Sequence, residues 1–290
     1  MKYAASLPDS LPSYWSRDTD SWTFVDVDEK TFQAVEAMAL GAWDGELVGK
    51  GDDGRDLHHR GIKVLAVQRI ENSAVFRKYN AFRKTLLNRM DKVATRLDEI
   101  SGSRGSVSTD KYLAKFMRDE MYSEINESYL FHGTKVKYVS SIAGNGFNLS
   151  YASLGRFGKG IYMAERSTKA DQYTDSNLPG SNLTEKMLLV RGMLGNIYLC
   201  QSEQSRLGIR NSSKPPTTDD HNVPAVFDSV VSDLSDPMLG VFREFVVYRE
   251  EQTYPEYVIE YTRLSSAHLM TSSPVLITAL VYIWFLARQP

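Results

Sequence analysis

Three short motifs constrain the fold of this chain most, because each stands at the end of a segment with the pattern of a β-strand. His132 lies in LFHGT (residues 130–134), Tyr162 in GKGIY (158–162) and Glu244 in REFVVY (243–248). Apolar, β-branched and aromatic residues within these segments favour strands, and the adjoining glycines favour turns. The motifs therefore predict three strands whose ends carry an imidazole, a phenol and a carboxylate.

Further segments extend this pattern to an α+β chain. Residues 62–68, 186–198 and 256–261 are predicted as strands, whereas residues 75–97 place apolar side chains at helical spacing. The other face of that helix is basic, and we interpret it as a solvated face because the net charge of −2 does not favour nucleic acid. Residues 174–184 and 201–222 are predicted as loops. The predicted fold class is α+β, with mainly antiparallel twisted sheets and flanking helices.

The domain organisation is predicted from the absence of repeats and Pro-rich hinges in the 290 residues. We expect one domain over residues 1–264 and a tail over residues 265–290. The tail holds an uncharged apolar run at residues 274–287, which reaches the length of a membrane span, about 20 residues, only if Leu269, Met270 and the hydroxyl residues are counted. A membrane tether, a packed terminal helix and a non-native tail stay open as interpretations. A single cysteine, Cys200, and the lack of a secretory signal predict an intracellular protein of cytoplasm or nucleus.

Taken together, the motifs resemble the catalytic domain of the poly(ADP-ribose) polymerases, the diphtheria-toxin-like ADP-ribosyltransferases. Three more segments carry the resemblance: IEN with FRKY (residues 70–72 and 76–79), GNGF (144–147) and EQTYPEY (251–257). The last is similar to the tankyrases, and the pattern also resembles mono-ADP-ribosylating members. The resemblance spans nearly the whole chain up to residue 264 and implies the ADP-ribosyltransferase fold, with NAD as substrate.

The resemblance implies that Glu244, His132 and Tyr162 are the catalytic residues. Glu244 would bond the nicotinamide ribose, stabilise the positive charge that develops on it and help to deprotonate the acceptor. His132 would donate a hydrogen bond to a ribose hydroxyl and so position the substrate. Tyr162 would line the nicotinamide slot.

A wider set of residues is implied to bind NAD. The Gly133 backbone would hold the carboxamide, because a residue without a Cβ lets a planar group approach closely. The Tyr173 ring would stack on the nicotinamide, and Arg156 belongs to a loop that would cover the adenosine side. The complete set predicted to bind NAD is His132, Gly133, Thr134, Arg156, Tyr162, Ala170 and Tyr173.

Ala170 is a departure from the family pattern. A serine usually stands at this position and bonds the carboxamide, so one hydrogen bond is predicted to be missing. Ser167 and Thr168 are the nearest replacements, although helix geometry displaces both. A hydrogen bond of this kind is worth about 0.5–1.5 kcal/mol, so we expect weaker substrate binding and preserved turnover.

The function that the resemblance implies is that of an NAD⁺ protein ADP-ribosyltransferase, a pentosyltransferase that releases nicotinamide. Its partners would be NAD and protein acceptors, itself included, with a membrane contact through residues 274–287 if the tail is a tether. Transfer of single units and of a polymer stay open. A weak or inactive binding module of the same family and an NAD glycohydrolase are the alternatives. Neither a metal nor a nucleic-acid partner is expected.

Overall fold

The computed structural model describes residues 11–16, 21–51, 53–54, 57–90, 107–174, 184–217, 227–232 and 237–264. The predicted tail, with its apolar run at residues 274–287, lies outside these ranges. Within them, no helix combines the length and apolar character needed to cross a membrane.

A large sheet forms the centre of the described part. Nine of its strands are β1 (Thr23–Asp26), β2 (Gly61–Glu71), β3 (Glu127–Gly133), β6 (Ile161–Ala164), β7 (Glu185–Met193), β8 (Ile197–Cys200), β9 (Ser229–Ser232), β10 (Glu244–Val247) and β11 (Thr253–Leu264). They lie in the order β1-β2-β11-β7-β3-β6-β10-β9-β8. Only β8 and β9 pair in parallel among these neighbours. A small separate hairpin joins β4 (Leu154–Gly155) to β5 (Gly158–Lys159).

Helices flank the sheet on both faces, which confirms the predicted α+β class with mainly antiparallel strands. They are α1 (Glu29–Gly41), α2 (Ser73–Met90), α3 (Lys115–Arg118), α4 (Val136–Asn145), α5 (Ser167–Asp171) and α6 (Glu203–Ile209). One apolar cluster packs α4 on the sheet through Val139 and Leu188, and another packs α1 on it through Met38 and Leu189. The central strand β7 is almost wholly buried because it is covered on both faces.

Three element predictions differ from the structure. The predicted strand over residues 186–198 is two strands, since Gly195 adopts a φ of +57° and turns the chain between β7 and β8. The predicted loop over residues 201–222 contains α6, which Ser202 caps by accepting a hydrogen bond from the backbone of Ser205. The predicted helix over residues 75–97 is α2 up to Met90, and the rest lies outside the described residues.

The basic face of α2 is not uniformly solvated, contrary to our interpretation. Arg83 is buried and donates to the buried carboxylate of Glu127 at 2.7 Å, and Arg89 pairs with Asp228. Arg191 on β7 contacts the same Glu127 at 3.2 Å. Arg83, Glu127 and Arg191 form a buried charge cluster, in which paired and hydrogen-bonded charges offset the cost of desolvation. The cluster fixes α2 against β3 and β7.

Several buried carboxylates make stability sensitive to acid. Burial alone would raise the pKa of Glu127, but Arg83 and Arg191 outweigh it and hold that pKa below its usual value of 4.5. Similarly, hydrogen bonds and cations outweigh burial and lower the pKa values of Glu71, Glu165 and Asp171. A lowered folded-state pKa contributes stability that is present above the unfolded value and is lost as pH falls through the folded value.

We therefore expect the contribution of these carboxylates to the free energy of unfolding to be constant from about pH 7 to pH 5 and to fall steadily below about pH 4.5. Urea denaturation at a series of pH values measures it. Glu127→Gln should be less stable at pH 7 and show a shallower acid slope. Asp119→Asn removes an exposed pair with Lys115 and should keep the full slope. An equal slope in all three proteins would contradict this assignment.

Candidate active site

The three predicted catalytic side chains come from neighbouring strands. β6 lies between β3 and β10, and Ala164 of β6 pairs with Phe131 on one side and with Glu244 on the other. His132 follows Phe131 directly near the end of β3, and Glu244 is the first residue of β10. The antiparallel registers thus bring the ends of β3 and β10 together around β6, where Tyr162 lies.

His132 is half-buried, and its ring orientation is set by β6. Its Nδ1 lies 2.8 Å from the backbone oxygen of Tyr162, and its ring packs edge-on against Phe147 with centroids 4.8 Å apart. Burial lowers the pKa of His132 below its usual 6.5, although the Tyr162 carbonyl opposes the shift. The ring is therefore neutral at pH 7.

The direction of the predicted His132 hydrogen bond is reversed in this geometry. A carbonyl oxygen only accepts, so Nδ1 must carry the proton and donate to Tyr162. In the neutral ring Nε2 then carries a lone pair and is an acceptor. A ribose hydroxyl would donate to Nε2 instead of accepting from it, contrary to the prediction from the sequence. The positioning role of His132 stays a prediction.

Tyr162 uses its hydroxyl to hold the turn between β4 and β5. The hydroxyl donates to the Gly158 oxygen at 2.7 Å and accepts from the Phe157 nitrogen at 2.9 Å. Burial, together with the neighbouring Glu244 carboxylate, raises the pKa of Tyr162 well above its usual range. The phenol is thus neutral and structural at its hydroxyl, and the place of its ring in the nicotinamide slot stays a prediction.

Tyr162→Phe should lower the free energy of unfolding by about 1–3 kcal/mol, because it leaves the backbone groups of Phe157 and Gly158 without their partner. Urea denaturation measures this effect. Tyr138→Phe, on the exposed surface of α4, is the matched control and should change stability little. Equal stability of both variants and the unaltered chain would show that water replaces the Tyr162 hydroxyl.

Gly133 and Ala170 touch through their backbones, which explains why glycine stands at the end of β3. A Cβ built on Gly133 would lie 1.7 Å from the Ala170 oxygen and 3.0 Å from the Tyr173 Cβ. Ala170 itself is buried and has no hydroxyl to offer. Thr134 follows Gly133 and is half-buried.

The two hydroxyls considered as replacements for the missing serine are engaged elsewhere. Ser167 donates to the Ala39 oxygen at 2.7 Å, and Thr168 accepts from the Asp44 nitrogen at 2.7 Å. Both hydrogen bonds tie α5 to the chain around the end of α1. Neither hydroxyl is therefore free for a carboxamide near Gly133.

Glu244 and Tyr173 are linked by two residues that the sequence prediction did not include among the site residues. Lys169 Nζ lies 3.2 Å from Glu244 Oε1, 3.0 Å from Asp53 Oδ2 and 4.8 Å from the centre of the Tyr173 ring. The Tyr173 hydroxyl donates to the same Asp53 oxygen at 2.6 Å. Burial, then the Glu244 carboxylate and Asp53, raise the pKa of Tyr173 well above its usual range. Tyr173 as a whole is 42% exposed, so part of the residue is accessible to a ligand.

Arg156 is directed to an open groove beside the site. One guanidinium nitrogen donates to the Met238 oxygen at 2.6 Å. The groove has a volume of about 360 Å³ and is lined by Leu154, Gly155, Arg156, Arg206, Arg210 and Asn211. Arg156 also lies near enough to Tyr162, Tyr173 and Asp53 to interact with them electrostatically. Its contact with the adenosine side of NAD stays a prediction. Across the described ranges, no three His, Cys, Asp or Glu side chains form a group that could hold a metal ion.

Comparison with known proteins gives one family and several relatives. Residues 52–263 match the family model described as the poly(ADP-ribose) polymerase catalytic domain. The protein mono-ADP-ribosyltransferase PARP12 of Mus musculus is 30% identical over 168 residues, which are 57% of this chain and 20% of the relative. PARP12 of Homo sapiens is 29% identical over 150 residues, 51% of this chain and 19% of the relative.

A third relative has the same transferase description. The protein mono-ADP-ribosyltransferase PARP14 of Homo sapiens is 32% identical over 141 residues, which are 48% of this chain and 7% of the relative. The matches thus span a fifth or less of the relatives' lengths.

Proposed function

The chain belongs to the family of poly(ADP-ribose) polymerase catalytic domains, and from this premise we propose that it transfers ADP-ribose from NAD to protein side chains. The observation that carries the proposal is the placement of Glu244. Its Oε1 is bound by Lys169 at 3.2 Å, and its side chain is 12% exposed at the strand end beside Tyr162 and Tyr173. A carboxylate held in this way suits a positive charge that develops on a bound sugar.

The reaction is a substitution at the anomeric carbon of the nicotinamide ribose. The carbon–nitrogen bond breaks, its electron pair goes to the ring nitrogen, and nicotinamide leaves as a neutral molecule. An acceptor oxygen or nitrogen forms the new bond to the same carbon and loses a proton. Glu244 would stabilise the oxocarbenium-like carbon and assist the removal of that proton.

The other residues orient the substrate. The Gly133 backbone would hold the carboxamide, with the Ala170 contact as the rigid support behind it. The Tyr173 ring would stack on the cationic nicotinamide, a contact of about 0.5–2 kcal/mol. His132, neutral and protonated on Nδ1, would accept a hydrogen bond from a ribose hydroxyl. Such positioning lowers the entropic part of the barrier.

The number of units transferred belongs to the proposal as well. PARP12 and PARP14 are named mono-ADP-ribosyltransferases, which favours single-unit transfer here. Glu244 is a carboxylate that also permits deprotonation of a ribose hydroxyl, and thus chain elongation, so its presence alone does not fix the product. Protein acceptors, the chain itself among them, are the proposed partners.

The proposal is tested by incubating the full chain with NAD labelled in the adenylate phosphate and resolving the products on a denaturing gel. Free nicotinamide is measured in parallel, and Glu244→Gln serves as the control variant. A discrete labelled band indicates single-unit transfer, and a high-molecular-weight smear indicates a polymer. Nicotinamide release without labelled protein, after added acceptor proteins, would indicate a glycohydrolase. No release and no stabilisation by NAD would contradict the proposal in favour of a non-catalytic module.

A further inference from the structure

The connection between α1 and β2, in its described residues 42–51, 53–54 and 57–60, packs along α5 at the active site. The Asp44 nitrogen donates to the Thr168 hydroxyl at 2.7 Å, and the Gln172 side chain donates to the Lys50 oxygen at 2.9 Å. A Cβ on Gly54 would approach the Gln172 amide to 2.4 Å, so this part of the connection lies directly on Gln172. The α1–β2 connection is therefore anchored on both sides of Lys169.

Asp53 extends from this connection into the site. Its Oδ2 lies 3.0 Å from Lys169 Nζ and 2.6 Å from the Tyr173 hydroxyl, which donates to it. The same oxygen thus accepts from a cation and a phenol. Both partners belong to the segment that carries the predicted stacking ring. Asp53 is 116 positions from Lys169 in sequence, so only the fold brings them together.

Lys169 is shared between two carboxylates. Its side chain is 8% exposed, and its ammonium lies between Asp53 at 3.0 Å and Glu244 at 3.2 Å. A buried ammonium needs hydrogen-bond acceptors, because desolvation without them is costly. If Asp53 were absent, Glu244 would be the remaining carboxylate partner of Lys169 in the described contacts. The ammonium would then compete with the substrate for both Glu244 oxygens.

We propose that Asp53 is a positioning residue of the active site, which holds Lys169 and the Tyr173 hydroxyl so that one Glu244 oxygen stays available to the nicotinamide ribose. The inference rests on the proposed function and adds a residue to it. Asp53 is thus paired with Lys169 and also interacts electrostatically with Arg156, so the negative charge that remains for a substrate is that of Glu244. That charge complements a cationic nicotinamide and the positive sugar carbon that follows its departure.

Substitutions of Asp53 distinguish its contact with Lys169 from its contact with the Tyr173 hydroxyl. Asp53→Ala removes both, so it should lower kcat and raise KM for NAD, each about fivefold to tenfold. Asp53→Asn keeps an oxygen that accepts from Tyr173 and loses the charge beside Lys169, so it should lower kcat with a smaller change in KM. Asp53→Glu should restore part of the turnover. Glu46→Gln is the matched control in the same connection, because the Glu46 side chain is 90% exposed and lies 3.7 Å from Arg60 on the surface.

A double-mutant cycle tests the Tyr173 contact directly. Tyr173→Phe should raise KM, and Asp53→Ala should raise it little further in that background, since the shared hydrogen bond is already lost. The unfolding free energies of the same four proteins should likewise be non-additive. That measurement requires no catalysis and therefore reports on the contact by itself.

Turnover of Asp53→Ala and Asp53→Asn equal to that of Glu46→Gln would overturn the inference, and so would faster turnover, which would make the contact inhibitory. Loss of turnover together with loss of the fold in Asp53→Asn and Asp53→Glu would also overturn it, as a sign of a purely structural role. If the unaltered chain neither releases nicotinamide nor is stabilised by NAD, the proposed function fails instead. If the protein is active but the effects of Asp53→Ala and Tyr173→Phe on the free energy of unfolding are additive, the inference is refuted and the proposed function is not.

Discussion

Glu244→Gln is expected to lower the turnover of NAD about 10²–10³-fold while the protein stays folded and still binds NAD. Removal of one preorganised charged group that faces a developing charge costs a factor of this size. The amide keeps the shape of the side chain and an oxygen that accepts from Lys169, now 3.2 Å from Glu244 Oε1. What is lost is the negative charge, which acts only when the sugar carbon becomes positive.

The measurement is the initial rate of nicotinamide release at saturating NAD, with the thermal shift produced by NAD as the binding readout. Glu251→Gln is the matched control, because Glu251 is exposed and lies in the turn just after β10. It should turn over like the unaltered chain. Unchanged turnover of Glu244→Gln would refute the catalytic assignment. Loss of NAD binding in that variant would instead assign Glu244 to ground-state binding.

The sequence predicts the part of the site that depends on local pattern. The strand ends that carry His132, Tyr162 and Glu244 follow from β-branched and aromatic runs that meet glycine, and the structure places them on β3, β6 and β10 side by side. Their roles in catalysis stay predictions. That these three strands are adjacent in the sheet could be expected only from the resemblance, since spacing along the chain does not determine strand order.

The sequence did not predict the contacts that cross the chain. Asp53 lies in a Gly- and Asp-rich stretch, GKGDDG, that indicates a turn and contains no signal for its partners. The Lys169 side chain is buried, and its ammonium contacts Glu244 on strand β10. Similarly, the tautomer of His132 is set by the Tyr162 carbonyl, which belongs to another strand. Such contacts depend on tertiary packing, which the helical or strand periodicity of a sequence does not predict.

A buried charge is equally difficult to predict. Arg83 has the spacing of an exposed residue on α2, but its guanidinium is buried with Glu127. Glu256 stands in EQTYPEY, where the strand pattern alone makes a carboxylate unexpected inside the protein. The register of β11 shifts between Pro255 and Tyr257, and Glu256 accepts from the Tyr129 hydroxyl at 2.6 Å. Proline in a sheet is confined to edges and bulges, so Pro255 was the signal in the sequence for an irregular register at Glu256.

Gly133→Ala is expected to disrupt both the nicotinamide slot and the fold around it. The new Cβ would lie 1.7 Å from the Ala170 oxygen and 2.7 Å from the Ala170 carbonyl carbon. Both are backbone atoms, so no change of rotamer relieves the clash, and β3 must move away from α5. Overpacking of a core costs about 1–3 kcal/mol and more where the backbone must shift. A displacement near 1 Å costs about 10²-fold in rate.

We therefore expect Gly133→Ala to lower the free energy of unfolding by about 3 kcal/mol and nicotinamide release by at least about 10²-fold. Urea denaturation and the rate of nicotinamide release measure the two effects. Gly208→Ala is the matched control, because a Cβ at this position in α6 meets no atom within 4 Å. It should stabilise the helix by about 0.5–1 kcal/mol. A stable, active Gly133→Ala protein would show that β3 and α5 are farther apart in solution, and that the Gly133 backbone does not need α5 behind it to hold the carboxamide.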